Sequence, residues 1–324
     1  MIHFFVLTVC TIFIIWILCS SIFALGYKFF RKWAWMQSPN DHIDLIWGLV
    51  VVSFLLTIGL VWFSLKDSFR PLFAPELDHC LEHVSHHLHL CVNHLQQDWN
   101  SGGLIFVIFI VALWNKQFLE FLYRSWKYFI NSNAVVWLSQ KHDDFFLLNT
   151  SRPMIFTMGF FNPKIFCSEG LLKQVSEQEL KALITHEQCH VKYKDSLIKW
   201  LVRSFGTCFF NQNRMSEDLN LRMEQRADLH ALKGLKNHHQ LRNLFERFTS
   251  WASLNRNQDY YCAFSESQTK QRLDLIHQAP EYTKSKKILI WSGLFSTLVL
   301  PILQSPSAEQ LHHFTERFWS FLIS

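Results

Sequence analysis

Long uncharged stretches recur along the chain, separated by segments that carry charge. Residues 4–27 contain no charged side chain, and two further uncharged windows cover residues 45–65 and 288–308. Each window reaches the roughly 20 residues that a helix needs to cross a bilayer. A shorter window at residues 99–115, extended to about residue 123, predicts one more span, with a re-entrant or interfacial helix as the alternative. The pattern therefore predicts four membrane-spanning helices.

Basic residues cluster on one side of these predicted spans. Lys28, Arg31 and Lys32 follow the first span, and similar clusters follow the third span and precede the fourth. Because loops rich in Lys and Arg stay in the cytoplasm, this arrangement predicts an external N-terminus. The basic residues follow the first apolar stretch instead of preceding it, so we expect a retained anchor and not a cleaved secretory signal.

These boundaries predict a fold that is mainly α and integral to the membrane, with an α+β domain between the third and fourth spans. We expect a multi-pass protein of the cell's inner (cytoplasmic) membrane. The predicted segments are transmembrane helix 1 at 1–27, a cytoplasmic loop at 28–44, transmembrane helix 2 at 45–66, an external His-rich loop at 67–100, transmembrane helix 3 at 101–123, a cytoplasmic domain at 124–287, transmembrane helix 4 at 288–305 and a short external tail at 306–324.

Composition agrees with a membrane protein and argues against two other classes. Hydrophobic residues make up 49% of the chain, with 31 Phe and 13 Trp, which is too apolar for an ordinary soluble protein. The net charge of +5 comes from scattered basic residues, so nucleic acid is not an expected partner. The eight cysteines include no CxxC pair, and a small disulfide scaffold is not expected in a chain of this length.

One predicted helix carries a metal-binding pattern. Ser176 and Glu179 have the spacing of a capping box at its start. Further along, His186 and His190 lie four residues apart with Glu187 between them, in an HExxH arrangement. One helical turn places both imidazoles on the same face, where they can bind one Zn²⁺ while Glu187 acts on water as a general base. The pentapeptide can arise by chance, so it needs corroboration.

A second predicted helix, beginning near Ser216, supplies further carboxylates. Glu224 and Asp228 share a face, and Glu224 can complete a His₂Glu site that keeps one coordination position open. Asp228 can accept a hydrogen bond from a ligating imidazole, and Asp195, shortly after the HExxH, can do the same. The alternative is a solvated helix face on which these carboxylates pair with neighbouring arginines.

Taken together, these segments resemble the BlaR/MecR-type membrane metallopeptidases. This gluzincin family includes the β-lactam-sensing antirepressor receptors. The resemblance rests on three spans before the domain and one after it, on residues 162–172, on the helix from Ser176 to Asp195, and on residues 224–228.

The resemblance implies a cytoplasmic zinc peptidase domain with one catalytic Zn²⁺. His186, His190 and Glu224 would be the ligands, and Glu187 the catalytic base. The β-lactam receptors also carry a large extracellular penicillin-binding domain after the last span. We expect this chain to lack that domain and therefore not to sense β-lactams in that way.

A candidate external metal site lies in the predicted outer loop. Residues 78–94 hold six of the 17 histidines and two of the eight cysteines. An external metal or redox sensor and a polar amphipathic helix without such a function are both open interpretations, and the two cysteines could instead form a disulfide. The residues of this candidate site are His79, His83, His86, His87, Cys80 and Cys91.

The expected function is a zinc metalloendopeptidase that cleaves a cytoplasmic protein, such as a transcriptional repressor, or itself, in signal-regulated proteolysis. Alternatives are a constitutive quality-control protease and a non-enzymatic metal-binding receptor. Against the receptor, structural zinc sites are closed and usually rich in thiolates, whereas a His₂Glu set is open. Other expected partners are the bilayer and, as one option, a second copy of the chain.

Two features concern the substrate. Met154–Met158 and Lys164–Cys167 alternate or run apolar around a Gly and an Asn-Pro pair, which predicts a hairpin whose edge could hold an extended peptide. An oxyanion-stabilising residue is also expected, and the sequence leaves four candidates for it: Arg272, His230, Tyr260 and Tyr261.

Overall fold

Three long helices open the chain: α1 (Ile2–Trp35), α2 (Pro39–Phe69) and α3 (Ser101–Trp137). Within the part of the chain that is described, each contains a stretch long and apolar enough to cross a membrane. These stretches are Val6–Phe29, Pro39–Leu65 and Gly103–Trp137. The computed structural model describes residues 2–35, 38–69, 101–205, 212–232, 247, 272, 314–319 and 321.

The helices are longer than the predicted spans. The predicted cytoplasmic loop at 28–44 is largely helical, because α1 runs on to Trp35 and α2 already begins at Pro39. Proline suits a first helical turn, where its missing N–H has no partner to lose. Ser38 precedes it and accepts a hydrogen bond from the Asp41 backbone N–H at 3.2 Å. The predicted fourth span at 288–305 lies outside the described residues.

A small four-stranded sheet follows α3. Its strands are β1 (Ser139–Lys141), β2 (Phe146–Leu148), β3 (Ile155–Met158) and β4 (Lys164–Ser168), in the order β1-β2-β4-β3. Strands β2 and β4 pair in parallel, while the other two pairs are antiparallel. The predicted hairpin is confirmed as β3 and β4, and among the described strands β3 pairs on one side only.

The turn of this hairpin packs against Tyr128 of α3 and against Trp200. Gly159 has a φ of +121° and its position for a Cβ lies 2.9 Å from the Asn162 carbonyl oxygen, so a larger residue would be strained there. Its N–H donates to the Tyr128 hydroxyl of α3 at 2.9 Å. The Phe160 ring stacks on the Tyr128 ring, with 4.0 Å between the ring centres, and it also packs against the Trp200 ring, with 5.1 Å between centres.

The remaining helices are α4 (Glu169–Leu172), α5 (Glu177–Tyr193), α6 (Asp195–Phe205) and α7 (Gln212–Leu232). The predicted capping box at the start of α5 is confirmed, with both reciprocal hydrogen bonds present.

Two predicted helix boundaries differ from the structure. Helix α5 does not continue to Asp195, because Lys194 adopts a left-handed conformation with φ of 52° and ends it. Asp195 instead begins α6. Helix α7 begins at Gln212, four residues before the predicted Ser216.

Helix α7 lies between α5 and the membrane helices. Its Leu229, Ala231 and Leu232 join a buried cluster with Ala182 and Leu183 of α5. Three other apolar side chains of α7 belong to a separate cluster formed mainly by α1 and α2: Met215, Leu219 and Met223. One helix therefore contacts both the HExxH helix and the long apolar helices α1 and α2.

Candidate metal centre

Three side chains from two helices converge on one buried point. His186 Nε2, on α5, lies 3.2 Å from His190 Nε2 and 3.4 Å from Glu224 Oε2, on α7. His190 Nε2 lies 3.7 Å from Glu224 Oε1. A tetrahedral zinc ion with bonds of about 2.0–2.1 Å separates its ligand atoms by about 3.3 Å. The observed spacings therefore fit a zinc ion at this point.

The other nitrogen of each imidazole faces a carboxylate. His190 Nδ1 lies 2.7 Å from Asp195 Oδ2, and His186 Nδ1 lies 3.1 Å from Asp228 Oδ1. Because carboxylates only accept hydrogen bonds, they favour the proton on Nδ1 and leave the lone pair on Nε2. Two such lone pairs and the Glu224 carboxylate then face one another. This set of electron-rich atoms is suited to binding a cation.

Two arginines pair with the carboxylates around this point. Arg272 donates to both oxygens of Asp228, at 2.7 and 2.6 Å, and lies 3.3 Å from Glu224. Arg226 pairs with Asp195, and its guanidinium lies 4.0 Å from the centre of the Tyr193 ring. These pairs fix the orientation of the carboxylates that contact the imidazoles.

The charges shift the pKa values of the site. Burial raises the pKa of the Glu224 and Asp228 carboxyls, but the Arg272 guanidinium and the neighbouring imidazoles together outweigh burial and lower both. Burial lowers the pKa of the His186 imidazole, whereas the Asp228 and Glu224 carboxylates more than offset it and raise that pKa to about 10. The pocket thus holds two ionised carboxylates and favours positive charge between them, which is a proton on His186 or, in its place, a bound cation that leaves the imidazole neutral.

Glu187 follows His186 on α5, and its side chain is hydrogen-bonded to strand β3. It is 8% exposed, and its Oε2 accepts a hydrogen bond of 2.7 Å from the Thr157 hydroxyl of β3. Thr157 was not among the predicted site residues. The sequence placed Thr157 in the predicted hairpin, but it could not show the contact with Glu187, because the two residues are 30 positions apart and local periodicity does not report such contacts.

The structure brings His186, His190 and Glu224 together, and it places Asp195 and Asp228 against the two histidines. Glu187 follows His186 directly on α5. The alternative of a solvated face is wrong for α7, since Glu224 is 7% exposed and Asp228 is fully buried. The residues of the candidate external site all lie outside the described part of the chain: His79, His83, His86, His87, Cys80 and Cys91.

The four candidates for the oxyanion-stabilising residue lie in different places. The Arg272 side chain is 4% exposed and engaged with two carboxylates. His230 lies on α7, two residues after Asp228. Tyr260 and Tyr261 lie outside the described residues. Lys199 of α6 is a further cation near the centre, 3.8 Å from Glu224 Oε1.

The sequence matches a known protein family. Residues 5–276 match the model of the BlaR1 peptidase M56 family, which covers most of the chain and includes the HExxH helix and α7. No curated protein gives a significant individual match.

Proposed function

The chain belongs to the BlaR1 peptidase M56 family, and on this premise we propose that it is a zinc-dependent membrane metalloendopeptidase. The observation that carries the proposal is the convergence of His186 Nε2, His190 Nε2 and the Glu224 carboxylate. Glu187 follows His186 in the chain, and Thr157 fixes its carboxylate. Structural zinc sites are closed by four protein ligands, whereas the described residues supply a group of three here.

The residues of the site then divide into three roles. His186, His190 and Glu224 would hold the metal, which as a Lewis acid polarises the carbonyl of the scissile peptide. Glu187 would take a proton from the attacking water and deliver it to the leaving amine. Asp195 and Asp228 would fix the tautomers of the two histidines, so that both Nε2 lone pairs stay available.

Strand β3 is the proposed substrate-binding edge. It pairs with β4 on one side, and its Thr157 contacts Glu187 directly. An extended peptide that adds to this edge would therefore run past the proposed base. Such binding needs a substrate segment that can adopt a strand, which favours flexible or unfolded regions of a protein.

The proposal includes a topology and a cellular role. The domain of residues 124–287 would lie in the cytoplasm, and the loop at 67–100 would lie outside. The substrate would be a cytoplasmic protein, such as a transcriptional repressor, or the chain itself. Regulation from outside the membrane would distinguish this role from constitutive quality control.

The test uses the full chain purified in lipid nanodiscs. We expect about one zinc ion per chain, and only weak basal cleavage of denatured casein, which is lost on chelation and restored by added Zn²⁺. Protein that binds no zinc, or cleavage unaffected by chelation, would contradict the proposed function. Strong activity on casein without any stimulus would instead favour the quality-control role.

A further inference from the structure

A buried polar network joins α7 to the first two membrane helices. The Tyr27 hydroxyl of α1 donates to Asp218 Oδ2 of α7 at 2.7 Å. Arg31, also of α1, donates to both oxygens of Asp218, at 2.5 and 2.8 Å. His42 of α2 contacts the Tyr27 hydroxyl through Nε2 at 3.0 Å. On its other side, His42 Nδ1 accepts from Arg222 Nε of α7 at 3.0 Å.

The donors and acceptors of this network are mutually dependent. The Arg222 guanidinium can only donate, so His42 Nδ1 must be an acceptor and its Nε2 must carry the proton. The Tyr27 oxygen accepts that proton while its own O–H points at Asp218. Tyr27, His42, Asp218 and Arg222 are all at least 96% buried. Loss of one bond would leave another buried polar group without its partner, which is costly at that depth.

The network is attached to α7 close to the metal centre. Asp218 and Arg222 precede Glu224 by six and two residues on the same helix. The part of α7 that carries Glu224 and Asp228 faces α5, while Asp218 and Arg222 face α1 and α2. A displacement or rotation of α7 relative to α1 and α2 would therefore move Glu224 relative to the two histidines.

The apolar contacts of α7 do not by themselves set its rotation. Met215, Leu219 and Met223 pack on α1 and α2, but dispersion contacts are only weakly directional and methionine adapts to altered packing. The hydrogen bonds of Asp218 and Arg222 are directional and fix a single orientation. Metal ligation needs that precision, because the three ligand atoms lie within 3.2–3.7 Å of one another.

We propose that Tyr27, His42, Asp218 and Arg222 are positioning residues for the metal centre. They hold α7, and with it Glu224, in a register set by α1 and α2, so that the arrangement of the membrane helices determines how tightly the centre binds metal. This inference rests on the proposed function of the same site. It also supplies a physical route by which the membrane part of the chain regulates the peptidase centre.

The closing experiment measures metal binding in the full chain in nanodiscs, independently of proteolysis. Zinc affinity is obtained by competition with a chromophoric chelator, and the ligand geometry from the visible absorption of the Co²⁺-substituted protein. The variants are Tyr27→Phe and Asp218→Asn. The matched control is Ser53→Ala on α2, which removes an equally buried hydroxyl bonded at 2.9 Å to the Val50 carbonyl of its own helix.

We expect Tyr27→Phe to weaken zinc binding about 10-fold and to alter the Co²⁺ spectrum, as substitution of groups that orient ligands does. Asp218→Asn should have a similar effect. The fold-decrease in zinc affinity of the double variant should be smaller than the product of the two single fold-decreases. Ser53→Ala should match the parent in affinity and spectrum.

Three results would overturn the inference. One is Tyr27→Phe with the affinity and spectrum of the parent. Another is equal loss in Ser53→Ala, which would point to general destabilisation. The third is a double variant whose decrease in zinc affinity equals the product of the decreases in Tyr27→Phe and Asp218→Asn, which would show that the two residues act independently. A parent protein that binds no zinc would instead refute the proposed function, and the inference with it.

Discussion

The Thr157 hydroxyl donates a hydrogen bond of 2.7 Å to Glu187 Oε2, which joins edge strand β3 to helix α5. The same hydroxyl lies 3.3 Å from the Glu187 carbonyl oxygen. The strand proposed to bind substrate therefore also orients the carboxylate proposed to act on water. Substrate alignment and base alignment depend on one strand.

Replacing Thr157 with Val should reduce turnover without removing the metal. Valine keeps the shape of threonine but cannot donate to Glu187, so the carboxylate loses its orientation. We expect kcat to fall about 10-fold, with KM and zinc content little changed. Thr185→Val is the control, since that half-buried hydroxyl donates to the Lys181 carbonyl one turn earlier on α5. Unchanged kcat in Thr157→Val would show that the bond does not serve catalysis.

Glu187→Gln should separate catalysis from metal binding. Glu187 is proposed to move a proton without ligating the metal, so the variant should keep about one zinc ion per chain and lose at least 10²-fold in kcat. Glu177→Gln, in the first turn of α5, is the control. Loss of zinc in Glu187→Gln, or full activity, would count against the assignment.

Asp195→Asn and Asp228→Asn should weaken zinc binding, because an amide supports the required imidazole tautomer less well than a carboxylate does. A loss of 10–100-fold in affinity is expected for each. Titration against a competing chelator measures it, with Asp143→Asn, in an exposed bend between β1 and β2, as the control. Affinities equal to that of the control would mean that these carboxylates are structural only.

Fusion reporters test the orientation of the chain. A reporter fused after Lys127 should report a cytoplasmic position, and one fused near Gln96 an external position, because the basic clusters retain their loops in the cytoplasm. Alkaline phosphatase and a fluorescent protein that matures only in the cytoplasm give opposite signals. The reverse pattern would place the peptidase domain outside.

The capping box of α5 should contribute pH-dependent stability. Burial raises the pKa of Glu179, but its hydrogen bonds to Ser176 and its pairing with Arg247 outweigh burial and lower it. A group with a lowered folded-state pKa stabilises the fold above its unfolded pKa and loses that contribution as pH falls through the folded value. Ser176→Ala should therefore cost about 1 kcal/mol at neutral pH. That cost should shrink in acid below the ordinary range of glutamate, as chemical denaturation of parent and variant would show.

The sequence predicted those features that local patterns encode. The HExxH helix, its capping box and the β3–β4 hairpin follow from spacing and turn residues, and each is present. Glu224 was found because helical periodicity places it on a face with Asp228. Thr157 and the Tyr27–Asp218 hydrogen bond were not found, since they join positions 30 and 191 residues apart. Such contacts depend on tertiary packing, which one sequence does not reveal.

The interval of five residues between His190 and Asp195 does not follow the periodicity of a helix. In an uninterrupted helix, a residue five positions after His190 would lie about 140° around the axis and point away from it. Because Lys194 takes a left-handed conformation, the chain turns and the Asp195 carboxylate reaches His190 Nδ1 at 2.7 Å. In this sequence, therefore, the interval of five between a histidine and its acidic partner marks the end of a helix and not a helix face. A search for related metal centres that assumes a continuous helix after HExxH would reject the correct partner as out of phase.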